Sequence, residues 1–204
     1  MDFGHGGKDA GYSNSTVKEK EINFAVGMQL ASLLKEKGHE VCLIRDKDEY
    51  IALDQRSQRA LACGPADALI SLHANSAGSE KVHGIETFCH RAHLFESHLN
   101  HGSFHTMSAS EKHNEILYQK SNVLAKSVHE KVLTFARVQK KDLVDRKIQH
   151  KVSQVLLGAD MPSILIELGF LTNNKEGQML KSSSYQKTLA NGIVNGLDDY
   201  FKLM

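Results

Sequence analysis

Residues 68–73 read ALISLH, a short run that is apolar almost throughout. Residues 163–167 read SILIE, which repeats the pattern and ends in a carboxylate. Short and nearly continuous apolar runs are typical of strands that are buried on both faces of a parallel sheet. These two runs therefore predict two central strands, and the rest of the chain is interpreted around them.

Further strands are predicted at residues 40–44 (EVCLI) and 82–89, and residues 152–157 are ambiguous. Apolar residues recur at helical spacing in four segments, residues 22–34, 53–63, 116–135 and 185–201. Alternating strands and helices predict an α/β fold. We expect one domain over residues 1–204, with a central, mostly parallel, twisted sheet flanked by helices on both faces.

The charge and hydropathy of the chain exclude several function classes. The 204 residues carry 25 basic and 24 acidic side chains, a net charge of +1. This balance gives no electrostatic reason to expect nucleic acid or an anionic membrane as partner. No run of about 20 apolar residues is present, so we predict no transmembrane segment. We expect a monomer.

The start of the chain is abrupt, because the chemically reactive His5 comes almost at once. A site residue usually needs a rigid element behind it. We therefore expect an upstream strand, and with it an export signal, to lie outside this chain. The cysteines are Cys42, Cys63 and Cys89, and an odd count cannot all pair within one chain. We interpret them as small buried apolar residues, with one disulfide as the alternative outside the cytoplasm.

Candidate site residues stand where the predicted strands stop. His5 follows the short stretch 1–3, His73 follows ALISL, and Glu167 follows SILI. In an open α/β sheet, ligands bind at the carboxyl ends of the strands. Two imidazoles and a carboxylate are ligand types that zinc prefers, and a catalytic zinc site keeps one position open for water. The same donors also suit iron in oxygen chemistry.

Other patterns keep alternatives open. Glu19 and Glu21 both stand at the start of the first helix, and spacing does not separate them. Three S-x-x-K matches, which begin at Ser15, Ser32 and Ser184, suit a serine nucleophile. No K-T-G triplet accompanies them, so we interpret them as chance matches.

Eight motifs follow one another along the chain: DFGHGGKD (2–9), KEKEIN (18–23), LIRD (43–46), QR (55–56), RA (59–60), DALISLHAN (67–75), GIET (84–87) and MPSILIELGFLTN (161–173). In this order they resemble the motifs of the zinc-dependent N-acetylmuramoyl-L-alanine amidases of bacterial cell-wall remodelling. The resemblance covers nearly the whole chain. One departure is Phe3, where the family usually has proline.

The resemblance implies a single α/β domain with one zinc ion held by His5, Glu19 and His73, and it makes Glu167 the catalytic acid–base residue. It implies that the substrate is the amide between N-acetylmuramic acid and L-alanine in peptidoglycan, so that stem peptides are released. Location in the periplasm or cell envelope follows from that polymer. The residues that bind the substrate stay unknown. The alternatives are a non-catalytic or a serine-type peptidoglycan-binding protein on the same scaffold.

Residues 90–113 are rich in His and Ser, and we predict an inserted loop or short helix there. His98 and His101 are close enough in sequence to meet on one helical turn, but no spacing in the segment forms a full set of zinc ligands. Some of the amidases that this chain resembles carry a helix at this place, and the helix covers the active site until a partner displaces it. We therefore expect an activator protein to act on this insert, with Glu96, Glu111 or Glu115 reaching zinc if the insert folds inward.

Overall fold

A computed structural model describes residues 1–90, 109–151 and 153–204. The strands are β1 (Asp2–Phe3), β2 (Leu69–Asn75), β3 (Ile85–Cys89), β4 (Asp145–His150) and β5 (Ser163–Phe170). The helices are α1 (Glu19–Glu36), α2 (Leu53–Ala62), α3 (Ala109–Gln139), α4 (Gln154–Leu157), α5 (Asn174–Lys181) and α6 (Ser183–Leu203). None of these helices is long and apolar enough to span a bilayer.

The five strands form one sheet in the order β1-β2-β5-β3-β4. Neighbours are parallel except at one boundary, where β3 runs antiparallel to β5. The central pairing places Ile70 opposite Ile164 and His73 opposite Glu167. The predicted α/β domain with a mostly parallel sheet is thereby confirmed.

Alternate residues of β2 point to opposite faces of the sheet, as strand geometry requires. Ile70 and Leu72 belong to the main core, which also holds the apolar residues of α1, α3 and α6. Leu69 packs with Ala60 of α2 on the other face, where Leu165 packs with residues of α4. Helices therefore flank both faces, as predicted.

Helices α3 and α6 lie very close together. A Cβ atom added to Gly196 would lie 2.4 Å from the Cα atom of Val128, and one added to Gly192 would lie 2.8 Å from that of Val132. The two glycines are four residues apart and so share one face of α6. They let the backbones approach, and this contact closes the main core beside the sheet.

The predicted strand at residues 40–44 is wrong. The segment lies beside Met1, whose amino group donates to the Cys42 carbonyl at 2.6 Å, and Ile44 N donates to the Met1 carbonyl at 2.9 Å. The neighbouring β1 is only two residues long, so no ladder extends over the segment. The ambiguous segment at 152–157 contains the short helix α4, while β4 and α5 were not predicted.

The interpretation of all three cysteines as unpaired apolar residues is also wrong. Cys42 and Cys63 form a disulfide with a Cα–Cα distance of 6.0 Å, which confirms the alternative of one bridge. Cys42 is exposed and not buried as predicted. Cys89 lies outside this disulfide and is buried, as expected.

Candidate metal centre

His5 is held in an unusual backbone conformation just after β1. Its φ angle is 62°, in the left-handed region that few non-glycine residues adopt. Two buried arginines bind the preceding backbone. Arg45 Nε donates to the Phe3 carbonyl at 2.8 Å, and Arg56 Nη2 donates to the His5 carbonyl at 2.8 Å. These bonds fix the loop that carries His5.

Glu19, the first residue of α1, brings the two histidines together. Its Oε1 atom lies 3.0 Å from His5 Nε2 and 3.0 Å from His73 Nδ1. Its Oε2 atom accepts a hydrogen bond from the Tyr12 backbone N–H at 3.0 Å. One ligand atom from each of His5, Glu19 and His73 lies within 4.8 Å of the others. Glu21, the alternative, is exposed and pairs with Lys18.

Asp9 orients the His5 ring. Its Oδ2 atom lies 2.9 Å from His5 Nδ1, and its Oδ1 atom accepts from the Gly11 backbone N–H at 3.0 Å. A carboxylate on one imidazole nitrogen commonly directs the other nitrogen towards a metal. Asp9 belongs to the motif at residues 2–9 but was not predicted as a site residue, and its spacing of four residues from His5 is the signal that could have identified it.

Glycines make room for the cluster. A Cβ atom on Gly4 would lie 2.3 Å from the His73 ring, and one on Gly11 would lie 2.4 Å from Glu19 Oε2 and 2.6 Å from His5 Cδ2. Any other residue at either position would displace these donor side chains. The close approach therefore requires glycine at both positions.

The charge of Glu19, beside His5 and His73, favours binding of a cation. Burial alone would raise the pKa of Glu19, but hydrogen bonds from His5 and His73 outweigh it and hold that pKa well below its usual range. Burial would lower the pKa of His5, but Glu19 and Asp9 outweigh it and raise that pKa to about 9. The pKa of His73 is likewise raised, against burial, by its hydrogen bond to Glu19. A carboxylate thus stabilises positive charge at this position.

Glu167 lies beside the cluster in the middle of the sheet. It is opposite His73 on β2 and opposite Glu86 on β3. Its Oε2 atom is buried and has no hydrogen-bond partner in the described part of the chain. Burial raises the pKa of Glu167 to about 7, and the neighbouring carboxylates of Glu19 and Glu86 add to this rise while His73 opposes it. Such a group can both accept and donate a proton near neutral pH.

The other candidate residues that the structure describes are not assembled into a site. Ser15, Ser32 and Ser184 are exposed, and Ser32 Oγ donates to Glu36 at 3.0 Å. In the His-rich insert, His113 pairs with Asp160. His93, His98, His101, His105 and Glu96 lie outside the described residues, as does the side chain of Glu111.

Comparison with known proteins covers the entire chain. A profile of the family described as N-acetylmuramoyl-L-alanine amidase matches residues 1–199. A putative N-acetylmuramoyl-L-alanine amidase of Buchnera aphidicola is 31% identical over 221 residues, which is 98% of this chain and 93% of that relative.

Two solved structures share the fold. The catalytic domain of CwlV, an N-acetylmuramoyl-L-alanine amidase from Bacillus (Paenibacillus) polymyxa var. colistinus, has a TM-score of 0.79 at 29% identity. The alignment covers 100% of this chain and 97% of that one. The CwlD amidase from Clostridioides difficile, solved in complex with the GerS lipoprotein, has a TM-score of 0.77 at 25% identity, with the same coverage of both chains.

Proposed function

Because this chain belongs to the N-acetylmuramoyl-L-alanine amidase family, we propose that it is an enzyme that uses one zinc ion to hydrolyse the amide between N-acetylmuramic acid and L-alanine in peptidoglycan. The ligands are His5, Glu19 and His73. The observation that carries the proposal is the position of Glu19 Oε1, 3.0 Å from His5 Nε2 and 3.0 Å from His73 Nδ1.

The residues fit zinc by their chemistry and spacing. Two imidazoles and one carboxylate leave a fourth position for water, as in catalytic zinc sites. In a tetrahedral zinc site with bonds of about 2.0–2.1 Å, two ligand atoms are ~3.3 Å apart. The distances of 3.0 Å from Glu19 Oε1 to the two imidazole nitrogens are close to that value. The hydrogen bond that Asp9 accepts from the far nitrogen of His5 adds the usual outer support. Iron would use the same donors, but membership of an amidase family favours zinc.

In the proposed reaction, Glu167 moves the proton. A bound zinc ion would lower the pKa of a water ligand towards about 7 and polarise the scissile carbonyl. Glu167 takes the proton from the attacking water and delivers it to the amide nitrogen as the C–N bond breaks. A pKa of about 7 suits a group that must serve first as base and then as acid.

The alternatives have less support. A serine mechanism needs a nucleophile beside a base, and the three S-x-x-K serines are exposed. A non-catalytic peptidoglycan-binding protein needs neither the assembled ligands nor a buried carboxylate beside them, and burying Glu167 Oε2 without a partner is costly. A catalytic role for Glu167 would account for this cost in stability.

Location and regulation follow from the same proposal. Acting on peptidoglycan requires the protein to work in the periplasm or cell envelope, where the Cys42–Cys63 disulfide would also persist. Regulation by a partner at residues 90–113 stays a prediction, because residues 91–108 lie outside the described residues. The lipoprotein complex of the related CwlD amidase supports the idea of a protein partner. An Arg91–Lys112 deletion with unchanged activity and partner response would remove the insert from regulation.

The direct test is hydrolysis of a purified muramoyl-peptide. Zinc-loaded protein should release the peptide with a free L-alanine amino terminus, chelation should stop the release, and added zinc should restore it. Activity that persists after the metal is removed would exclude the proposed mechanism. A zinc-loaded protein that binds the compound without cleaving it would favour the non-catalytic alternative.

A further inference from the structure

Ionisable side chains form a row across four neighbouring strands. His73 on β2 lies opposite Glu167 on β5, and Glu167 lies opposite Glu86 on β3. Arg146 on β4 donates from Nε to Glu86 Oε2 at 3.2 Å. Neighbouring strands are about 4.8 Å apart, so the backbone of Glu86 is roughly 10 Å from that of the metal-ligand candidate His73. The row starts at the proposed metal and ends in a guanidinium.

Arg146 is held on two sides, by an aromatic ring and by a carboxylate, and its stem passes close to a glycine. Its Cζ atom lies 4.8 Å from the centroid of the Phe170 ring, and its Cγ atom lies 3.0 Å from the position that a Cβ atom of Gly84 would take. Glu86, which binds its Nε, is itself fixed by a 2.6 Å hydrogen bond from Asn75 Nδ2. These contacts leave the guanidinium little rotational freedom.

The two terminal nitrogen atoms of the Arg146 guanidinium are available to bind a ligand. Nη1 and Nη2 of Arg146 make no hydrogen bond to the described part of the chain, and 34% of the side chain is exposed. A guanidinium presents its two Nη atoms as a planar fork that matches a carboxylate. Because the fork is already positioned, little side-chain entropy is lost when it binds an anion.

We propose that Arg146 binds a carboxylate of the stem peptide, near the second residue after the scissile bond. This inference rests on the proposed function. Glu167 protonates the leaving amine, so the leaving peptide lies on the Glu167 side of the metal. Glu86 and Arg146 come next in that direction. An extended peptide advances about 3.3–3.6 Å per residue, so two residues cover the distance from the amine to the far side of Glu86.

The test uses two muramoyl dipeptides, N-acetylmuramoyl-L-alanyl-D-glutamate with its α-carboxylate free and the same compound amidated there. Wild-type enzyme should prefer the free carboxylate at least about tenfold in kcat/KM, mainly through KM, because a charge-assisted hydrogen bond is involved. Arg146→Gln should abolish the preference by lowering kcat/KM for the free acid to that for the amidated compound, while Arg146→Lys should restore part of the preference.

The control is Arg59→Gln, since Arg59 is another half-exposed arginine paired with a glutamate, Glu49. That variant should keep the wild-type preference. If Arg146 only holds Glu86 in place, Arg146→Gln should lower activity equally on both compounds. That result, or a wild-type enzyme without a preference, would overturn the proposal.

Binding without turnover separates this proposal from the proposed function. Calorimetric titration with L-Ala-D-Glu and with its α-amide should show tighter binding of the free acid by wild-type protein, and no difference for Arg146→Gln. Equal binding of both dipeptides by wild-type protein would contradict the carboxylate site. If neither muramoyl compound is cleaved but the dipeptides are still distinguished, the proposed function fails and the carboxylate site stands.

Discussion

Glu167 lies directly opposite His73 in the parallel pairing of β5 with β2. The central strands thus place a buried carboxylate next to one of the three metal-ligand candidates. Strand pairing is a rigid way to hold two groups at a fixed separation, and sites on strands are positioned better than sites on loops.

Glu167→Gln should lower turnover of a muramoyl-peptide by a factor of about 10²–10⁴, the usual contribution of a general acid–base group. Zinc content should be unchanged because His5, Glu19 and His73 are intact. Rate assays and metal analysis of the same preparation provide the check. Glu21→Gln, at an exposed position, is the matched control. Full activity in Glu167→Gln would remove Glu167 from the mechanism.

The loop before His5 depends on a buried ion pair. Arg56 Nη1 lies 2.7 Å from Asp2 Oδ1, and both side chains are almost fully buried. Arg56→Met should lower the free energy of unfolding by about 3–5 kcal/mol, because the buried Asp2 carboxylate loses its charged partner. Denaturant unfolding measures the change. Arg59→Met, which removes a half-exposed pair, should cost far less than Arg56→Met, because solvent screens the charges of an exposed pair. Equal losses in the two variants would contradict this account.

A pH-dependent contribution is expected from Asp145. Burial alone would raise its pKa, but hydrogen bonds from Lys147 and His129 outweigh it and lower the pKa to about 2. A depressed pKa stabilises the fold above the unfolded pKa of about 3.9, and this stabilisation disappears as pH falls through about 2. Asp145→Asn should therefore cost about 1 kcal/mol at pH 7.

Thermal unfolding of wild type and Asp145→Asn between pH 7 and pH 2 checks this sign. The difference in Tm between the two proteins should be constant down to about pH 4 and should then decrease. The exposed Asp46 supplies the control variant Asp46→Asn. A gap that widens towards acid would show that Asp145 acts in another way.

The disulfide should contribute measurable stability. Cys42 and Cys63 are separated by 21 residues, and closing a loop of this length stabilises a fold by about 3 kcal/mol in the chain-entropy model. The double variant Cys42→Ser, Cys63→Ser should lose this amount relative to oxidised wild type in denaturant unfolding. A reducing agent should bring wild type to the level of the variant. If the reductant leaves wild-type stability unchanged, the bridge does not form in solution.

The fold and part of the site could be predicted because apolar runs mark the buried strands. The runs ending at His73 and Glu167 are such cases, although the strands continue to Asn75 and Phe170. β4 was not predicted because its sequence, DRKIQH, is mostly polar. It forms the edge of the sheet, where one side needs no partner strand and apolar patterning is weaker.

Contacts between residues that are distant in sequence could not be predicted from the sequence. Glu19 could not be separated from Glu21 by spacing, and only the folded chain shows that Glu19 is buried against two histidines while Glu21 is exposed. The Cys42–Cys63 bridge likewise depends on where α2 ends in space. Arg146 stands in a polar segment, and nothing in that segment predicts its position beside Glu86.

The central claim is that Glu19, with His5 and His73, holds one zinc ion. The most direct measurement is the zinc content of purified wild type, Glu19→Ala and Glu21→Ala by elemental mass spectrometry. We predict about one zinc per chain in wild type and Glu21→Ala, and little or none in Glu19→Ala, because three protein ligands are needed. Zinc retained in Glu19→Ala and lost from Glu21→Ala would contradict the ligand assignment.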